Sequence, residues 1–544
     1  MRLGSTDTFL EPSDMSFRMG RPVANEAFLK ALLTYGTYDA YDFFCSDVAL
    51  ARRFEARVRE LVPGTLAARV QARTQVDLAR AIEDTSYDVF HLGDFTYFLP
   101  YLAHVRDLAP RPFPITGITH SIDGTHMHTR FLQLALADLA PYDAVVCTSA
   151  CAERFVQAKF SEVNRLLRTR VGSTPDVAIT TCQIPLGVDD SLFSNLPHAE
   201  ARRAFSIPAH RTVALSVGRL SLRTKMDWSP ILERLGRMRA AGALDRFLLV
   251  IAGGGPKEQV ALLEQLVARY GLKEHVVVFP NFPPEAKLLL YRSADFYLSL
   301  VDNFQETFGL SIIEAMACGL PVIASNFDGY RDSVTDGENG YLIPTLFADS
   351  LPSFLARGMG VLDPGVERLF LAQMVAVDLP TLEERILDLC AHPEKRAAMG
   401  ANGRKRAERY RWNAIIRDYE ALWRELGARA RASEPRPKRA SVITGEGMKS
   451  YLHFPSHLLS DETMLRITDT GRDALVDPDV LTRYEDVMIA LSPIIERAIL
   501  EALRSSSMKC AGLRAHVQAT IPGEPGVFDF QLLWLIKHGA VAWS

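Results

Sequence analysis

Through most of its length the chain alternates short, continuously apolar runs with longer amphipathic stretches, and few architectures accept that pattern. The runs fall at 88–92, 115–119, 144–148, 213–217, 247–252, 276–279, 296–300 and 321–324. Each has strand length, and runs such as FLLVIA at 247–252 leave no polar face. A strand of that kind fits a parallel sheet covered by helices on both sides. Helical periodicity lies between many of the runs, for example over 256–270 and 311–318. Strands alternating with helices predict doubly wound, Rossmann-like α/β sheets. There are too many strands for one sheet. The pattern therefore predicts two such domains, 1–195 and 196–428, the second closing with helices over 394–409 and 412–426. The segment ASEPRPKRAS at 432–441 is rich in proline and charge and reads as a linker. Residues 442–544 form a third unit.

Composition narrows the class of protein. With 48% hydrophobic and 23% charged residues, the 544-residue chain is globular rather than disordered. Lysine and arginine number 61 against 65 aspartate and glutamate, a net charge of −4. No global basic field points to nucleic acid, so none is expected as a partner. The seven cysteines are odd in number, scattered and without a CxxC pair, which predicts a reduced, cytoplasmic setting. No apolar run approaches the ~20 residues of a membrane span. The opening MRLGSTDTFLEPSDM lacks the apolar core of a secretory leader.

The most informative segment is FQETFGLSIIEAMACGLPVIAS, from Phe304. A helix is predicted over 311–318, with Gly319 as its stop and Pro321 beyond it. Thr307, Phe308, Gly309 and Leu310 then form the loop and first turn, where free backbone N–H groups favour an anion. Gly309 permits close backbone approach. Glu306 and Glu314 bracket this turn. Carboxylates are poor phosphate ligands but good acceptors for hydroxyl groups on either side of a phosphate. A nucleoside diphosphate sugar has that layout: ribose, two phosphates, hexose. The alternative is a surface helix carrying two solvated glutamates.

A second segment, VALSVGRLSLRTK from Val213, reads as a strand and the loop after it. Ligands of α/β sheets bind beyond the C-terminal strand ends. Gly218 permits the turn, and Arg219 and Lys225 project from the loop, able to neutralise a diphosphate without a metal. A solvated Arg–Lys pair is the alternative for these two alone.

Together with IAGGGP from Ile251, FPNFPPEAKLLLYRSADFYLSL from Phe279 and GYRDSVTDGENGYLIP from Gly329, these segments resemble the retaining GT-B glycosyltransferases of family 4, group 1. The resemblance covers most of the second domain. In the first it is carried by THSIDG around His120 and CTSACAERF from Cys147. It implies that Glu314 binds the ribose and Glu306 the donor hexose. Thr307 and the amides of Phe308, Gly309 and Leu310 would face the diphosphate. Arg219 and Lys225 would stabilise the leaving nucleotide. His120 would reach the donor sugar, Gly20 would lie in the first-domain glycine loop, and Gly218, Gly254 and Phe282 would line the nucleotide. No cofactor or metal is implied beyond the nucleotide-sugar substrate, and no separate enzymic base is nominated. In place of the family's usual Lys-Gly, the chain has Lys225-Met226-Asp227-Trp228. Residues 347–376 look inserted and are predicted as a helical hairpin, either decoration or a contact for acceptor or partner.

Other signals are weaker. His120, His126 and His128 lie close together, but no cysteine or HExxH helix accompanies them, so no zinc site is expected. Asp477-Pro478-Asp479 does not follow an α/β strand and reads as a turn or helix start. In 442–544, helices are predicted over 494–504, 511–517 and 528–538, with a final extended AVAW. That arrangement resembles a winged helix. Its nine basic and thirteen acidic residues disfavour DNA. Self-association, docking of a peptide acceptor, or simple packing remain for it. The acceptor is thus a glycan or small metabolite, or alternatively a peptide or protein; a non-catalytic GT-B sensor or adaptor is the other alternative.

Overall fold

The structure, a computed structural model, describes residues 1–10, 20–172, 179–434, 441–445 and 447–544. Most of the linker predicted at 432–441 lies outside the described residues. The chain resolves into two compact units. One comprises Met1–Phe44, Arg53–Ala72 and Arg80–Ile443; the other comprises Cys45–Arg52, Arg73–Ala79 and Thr444–Ser544.

The larger unit holds both predicted sheets. In the first sheet the strands are β1 (Arg2–Ser5), β2 (Ala40–Cys45), β3 (Val70–Thr74), β4 (Val89–Leu92), β5 (Ile115–Ile118), β6 (Ala144–Cys147) and β7 (Thr180–Gln183). Their order is β3-β2-β1-β4-β5-β6-β7. The second sheet comprises β8 (Thr212–Val217), β9 (Phe247–Gly253), β10 (Val276–Pro280), β11 (Phe296–Ser299), β12 (Val322–Ser325) and β13 (Gly340–Ile343), in the order β10-β9-β8-β11-β12-β13. The pairing is parallel throughout this second sheet. All seven residues of β9 are buried, as its continuous apolar run demands. In each sheet the chain winds outward in one direction and then the other. The reversals fall between β1 and β4 and between β8 and β11, the places where such folds open a ligand crevice.

Four first-sheet strands differ from expectation. β1, β2, β3 and β7 carry glycine, aspartate or a run of polar residues and so lack an apolar signature. Gly4 in β1 has no side chain because a Cβ there would meet the Phe90 ring at 2.3 Å. Asp42 in β2 is fully buried, and the Arg2 guanidinium (2.8 Å) and the Tyr87 hydroxyl (2.7 Å) satisfy it.

The sheets are joined twice. The chain leaves the first sheet after β7 and enters the second through the helix His198–Ala204. It returns through the helix Trp412–Ala432, which runs past the expected end at 428. That helix packs on the first sheet: Trp423 Nε1 donates to Thr116 Oγ1 (3.1 Å), and Glu420 accepts from the Thr37 N–H (2.6 Å). At the crossings the Val188 N–H donates to the Tyr410 carbonyl at 2.8 Å.

The insertion is a helical hairpin, Ser353–Gly358 and Pro364–Ala372. A two-strand ladder, β14 (Thr345–Leu346) with β15 (Ala376–Val377), closes its base. In the smaller unit the three expected helices are Pro493–Ala502, Cys510–Gln518 and Pro525–Lys537. They pack with a further helix, Asp469–Val476, and an antiparallel sheet of β16 (Met464–Ile467), β17 (Met508–Lys509) and β18 (Val541–Trp543). Asp477 starts a short 3-10 turn, its carboxylate accepting from the Asp479 N–H. Among the described residues, no helix is long and apolar enough to cross a membrane.

Candidate active site

The loops that follow β8, β9, β10 and β11 meet at the C-terminal edge of the second sheet. Their approach depends on missing side chains. A Cβ on Gly253 would lie 1.7 Å from the Gly218 carbonyl oxygen, and one on Gly255 would lie 2.6 Å from that of Leu220. The Leu220 N–H donates to the Gly254 carbonyl at 2.8 Å, so the β8 and β9 loops run together as one wall. Phe282, just beyond β10, lies beside Phe279 with the rings tilted and their centroids 6.1 Å apart.

The Glu306 carboxylate is held from two sides. Lys225 Nζ donates to Oε2 at 2.5 Å, and the Gly309 N–H donates to Oε1 at 2.8 Å. Burial alone would push the Glu306 carboxyl upward. The Lys225 ammonium, the Arg219 guanidinium and the Gly309 amide outweigh burial and hold it below the usual carboxylate range. Lys225 also reaches the Tyr330 hydroxyl (3.3 Å), which is bonded to Ser299 Oγ (2.8 Å). Arg219 donates to the Thr224 carbonyl (2.7 Å) and to Gln305 Oε1 (3.2 Å). Burial draws its pKa down while the Glu306 charge opposes that shift. Two cations and one carboxylate thus converge in a largely dehydrated place, where electrostatic forces on a bound anion are strong.

Gly309, at φ +88°, starts the helix Leu310–Ala317, one residue earlier than the sequence pattern suggests. A Cβ there would strike the Tyr330 ring at 2.3 Å. Phe308 is buried behind the turn, its ring 6.0 Å from that of Tyr410. Glu314, buried within the helix, accepts from Lys287 Nζ (2.5 Å) and the Tyr291 hydroxyl (2.8 Å).

The first domain contributes through the loop after β5. His120 is buried and its Nε2 lies 2.8 Å from Asn25 Oδ1. Burial, aided by the Arg21 charge, pushes its pKa down to about 3, so the imidazole is neutral near pH 7. Thr307 Oγ1 donates to the His120 carbonyl at 2.8 Å. The Thr307 hydroxyl therefore ties the two sheets together rather than standing open for a phosphate. Likewise the Gly309 amide is engaged by Glu306. Gly20, at φ +77°, immediately precedes the helix Arg21–Tyr35 that carries Asn25, and is exposed.

The sequence reading did not single out Tyr330, Tyr291, Lys287, Asn25 or Gln305. The first three lie in the quoted segments GYRDS and AKLLLY, but their partners are 20 or more residues away in the chain. The residues after Lys225 have structural duties. Met226 and Trp228 enter the core of the second domain, and Asp227 accepts from the Ser229 N–H (2.8 Å). Among the described residues no cluster of three or more His, Cys, Asp or Glu is placed to hold a metal ion.

Residues 198–354 match the family of group 1 glycosyl transferases. That stretch contains every second-sheet residue described above. The chain is similar to a D-inositol 3-phosphate glycosyltransferase of Acidothermus cellulolyticus, 31% identical over 217 residues. The match covers 39% of this chain and 47% of the relative. A relative with the same description from Saccharomonospora viridis is 27% identical over 288 residues, 52% of this chain and 58% of its own length. The chain thus spans about half the length of the curated relatives it matches. Among solved structures it resembles Anabaena Alr3699/HepE in complex with UDP, with a TM-score of 0.53 and 19% identity over 78% of this chain and all of that one. It also resembles the sucrose-phosphate synthase of Thermosynechococcus elongatus, with a TM-score of 0.51 and 22% identity over 79% of this chain and all of that one. The fold is GT-B-like, two Rossmann-like sheets with a helical C-terminal region.

Proposed function

We propose that the protein is a glycosyltransferase that moves a hexosyl unit from a nucleotide-diphosphate sugar to an acceptor hydroxyl, with retention at the anomeric carbon. The observation that carries this reading is the convergence of Arg219, Lys225 and Glu306 with the start of the helix Leu310–Ala317 at the reversal between β8 and β11. In this reading Arg219 and Lys225 take the charge that develops on the departing diphosphate, the task a metal performs elsewhere, and no resident cofactor is needed. Glu306, ionised and fixed by Lys225, accepts hydrogen bonds from hexose hydroxyls. Glu314, fixed by Lys287 and Tyr291, does the same for the ribose. The acceptor hydroxyl attacks from the face the nucleotide leaves, and its proton passes to the departing phosphate oxygen. His120, neutral and held by Asn25, lies on the side of the donor sugar.

UDP sugars are the first donors to try, because UDP and UDP-glucose occupy Anabaena Alr3699/HepE. An inositol phosphate is the first acceptor to try, because the curated relatives carry that name. Thermal stabilisation across UDP, GDP, ADP and dTDP sugars tests the donor site. Saturation at ~100 times Kd adds ~2.7 kcal/mol. One nucleotide sugar stabilising the wild type but neither Arg219→Ala nor Glu314→Ala is the expected result. Equal stabilisation of both variants overturns the residue assignments.

A further inference from the structure

The inserted hairpin touches the site in three places, each within two to five residues of a nominated residue. Gln373 Nε2 donates to Asp227 Oδ2 at 3.0 Å, two residues past Lys225. Phe347 stacks edge-on against Phe304 at 5.3 Å, two residues before Glu306. The third contact is the most elaborate and crosses to the first sheet. Arg368 Nε donates to Asp123 Oδ2 at 2.5 Å, with Nη2 at 3.5 Å from Oδ1. Next to it, Glu367 Oε1 accepts from both the N–H (3.0 Å) and the hydroxyl (2.9 Å) of Thr125.

The two carboxylates of this third contact are buried. The Asp123 side chain is 3% exposed, and Glu367 is 4% exposed. A buried carboxylate of this kind demands its partner, because loss of the partner strands a charge away from water. Glu367 also sits at the N-terminal end of the helix His126–Leu136, where a negative charge is favoured by the unpaired N–H groups. The loop 121–125 is thus gripped at both ends: Thr307 holds the His120 carbonyl, and the hairpin holds Asp123 and Thr125. The Arg368 and Asp123 charges are also felt at Arg219.

We propose that Glu367 and Arg368 are positioning residues: the hairpin fixes the loop that carries His120 against the donor half, and so sets the geometry of the acceptor side of the site. The kinetic part rests on the function proposed above; the structural part does not. Decoration on the outside of the fold has no need of two charge-assisted contacts to the opposite domain, each made by a buried carboxylate.

The test uses the whole chain with Arg368→Ala, Glu367→Ala and the pair Arg368→Gln with Asp123→Asn, which keeps a neutral hydrogen bond. Amide hydrogen exchange over 119–127 is read first. Arg368→Ala is expected to speed exchange there by about tenfold or more, while protection in β8 to β13 stays as in the wild type. The neutral pair is expected to restore protection. With UDP-glucose as probe, UDP release is expected to lose about tenfold or more in kcat with the UDP Kd within about twofold of wild type, since misplacement costs rate rather than nucleotide binding. Unchanged exchange over 119–127 in both single variants overturns the proposal. So does a loss of UDP affinity as large as the loss of rate. If wild-type protein neither binds nor turns over any nucleotide sugar, the functional reading falls, and the exchange result alone decides whether the hairpin positions the loop. Should Arg368→Ala fail to fold, Glu367→Ala carries the same comparison, because it removes the acceptor of the Thr125 N–H and hydroxyl and leaves no buried charge behind.

Discussion

Lys225 Nζ and Glu306 Oε2 lie 2.5 Å apart, although one residue follows β8 and the other follows β11. The pair joins the two loops that border the reversal in strand order, and it leaves Arg219 beside them as a second cation. A diphosphate bound here would share these cations with Glu306, and charge at any of the three positions affects the other two.

Arg219→Ala is expected to weaken UDP binding by about ten- to a hundredfold, the size of one or two lost charge-assisted contacts, with little change in melting temperature. Lys225→Ala is expected to weaken UDP equally and also to lower the melting temperature, because it leaves the largely enclosed Glu306 without its main counter-charge. Isothermal titration calorimetry beside differential scanning calorimetry separates the two outcomes. Unaltered UDP affinity in Arg219→Ala counts against a diphosphate at this edge.

Glu314→Gln tests the ribose contact. Wild-type protein is expected to prefer UDP over 2′-deoxy-UDP, and the substitution is expected to shrink that preference by about fivefold or more, since each hydrogen bond to a charged acceptor is worth ~1.5–3 kcal/mol. An unchanged preference moves the ribose elsewhere.

Gly309→Ala combines a residue at φ +88° with a Cβ 2.3 Å from the Tyr330 ring. Tyr330 cannot withdraw freely, being fully buried and bonded to Ser299. A loss of ~2–4 kcal/mol in urea unfolding is expected, together with loss of UDP binding, as the helix start is displaced. A variant as stable as wild type means that the turn relaxes without cost.

Asp302 predicts a pH dependence. It is 6% exposed, and its Oδ1 has no hydrogen-bond partner among the described residues. Burial raises its carboxyl from 3.8 to about 7, despite the hydrogen bond from the Asp227 N–H. Between those values the folded state keeps a proton that the unfolded chain has released. This group's contribution to stability is therefore complete below about pH 4 and declines as pH rises towards 7, with a limiting slope of ~1.4 kcal/mol per unit. Burial raises Asp328 to about 7 as well, so Asp302→Asn is expected to remove only part of the slope of urea midpoints measured between pH 5 and 7, and Asp302→Asn with Asp328→Asn to remove more. A slope undiminished by Asp302→Asn assigns the proton to another group.

The sequence showed the second sheet more clearly than the first, for physical reasons. β9 and β12 are apolar runs that announce burial on both faces. β1 and β7, RLGS and TTCQ, rely on what neighbouring strands bring to them: Phe90 fills the space above Gly4, and β7 is an edge strand with partly exposed residues. The same split governs the site. Glu306, Gly309 and Glu314 share one loop and helix, so their spacing conveys the arrangement. Tyr330, Lys287 and Asn25 reach the site from other elements, and no local pattern records that. The insertion was visible as extra length, but its grip on Asp123 and Thr125 spans 242 or more residues and needed the folded chain.

The two chain crossings lie side by side, linked by the Val188–Tyr410 hydrogen bond, and this arrangement has a mechanical meaning. A single tether lets one half slide, twist or swing. Two adjacent tethers resist sliding and leave mainly a swing about the line that joins them, as with paired hinge pins. The Thr307–His120 and Arg368–Asp123 contacts lie away from that line and cross between the halves, so a swing about it has to break them while both sheets stay intact.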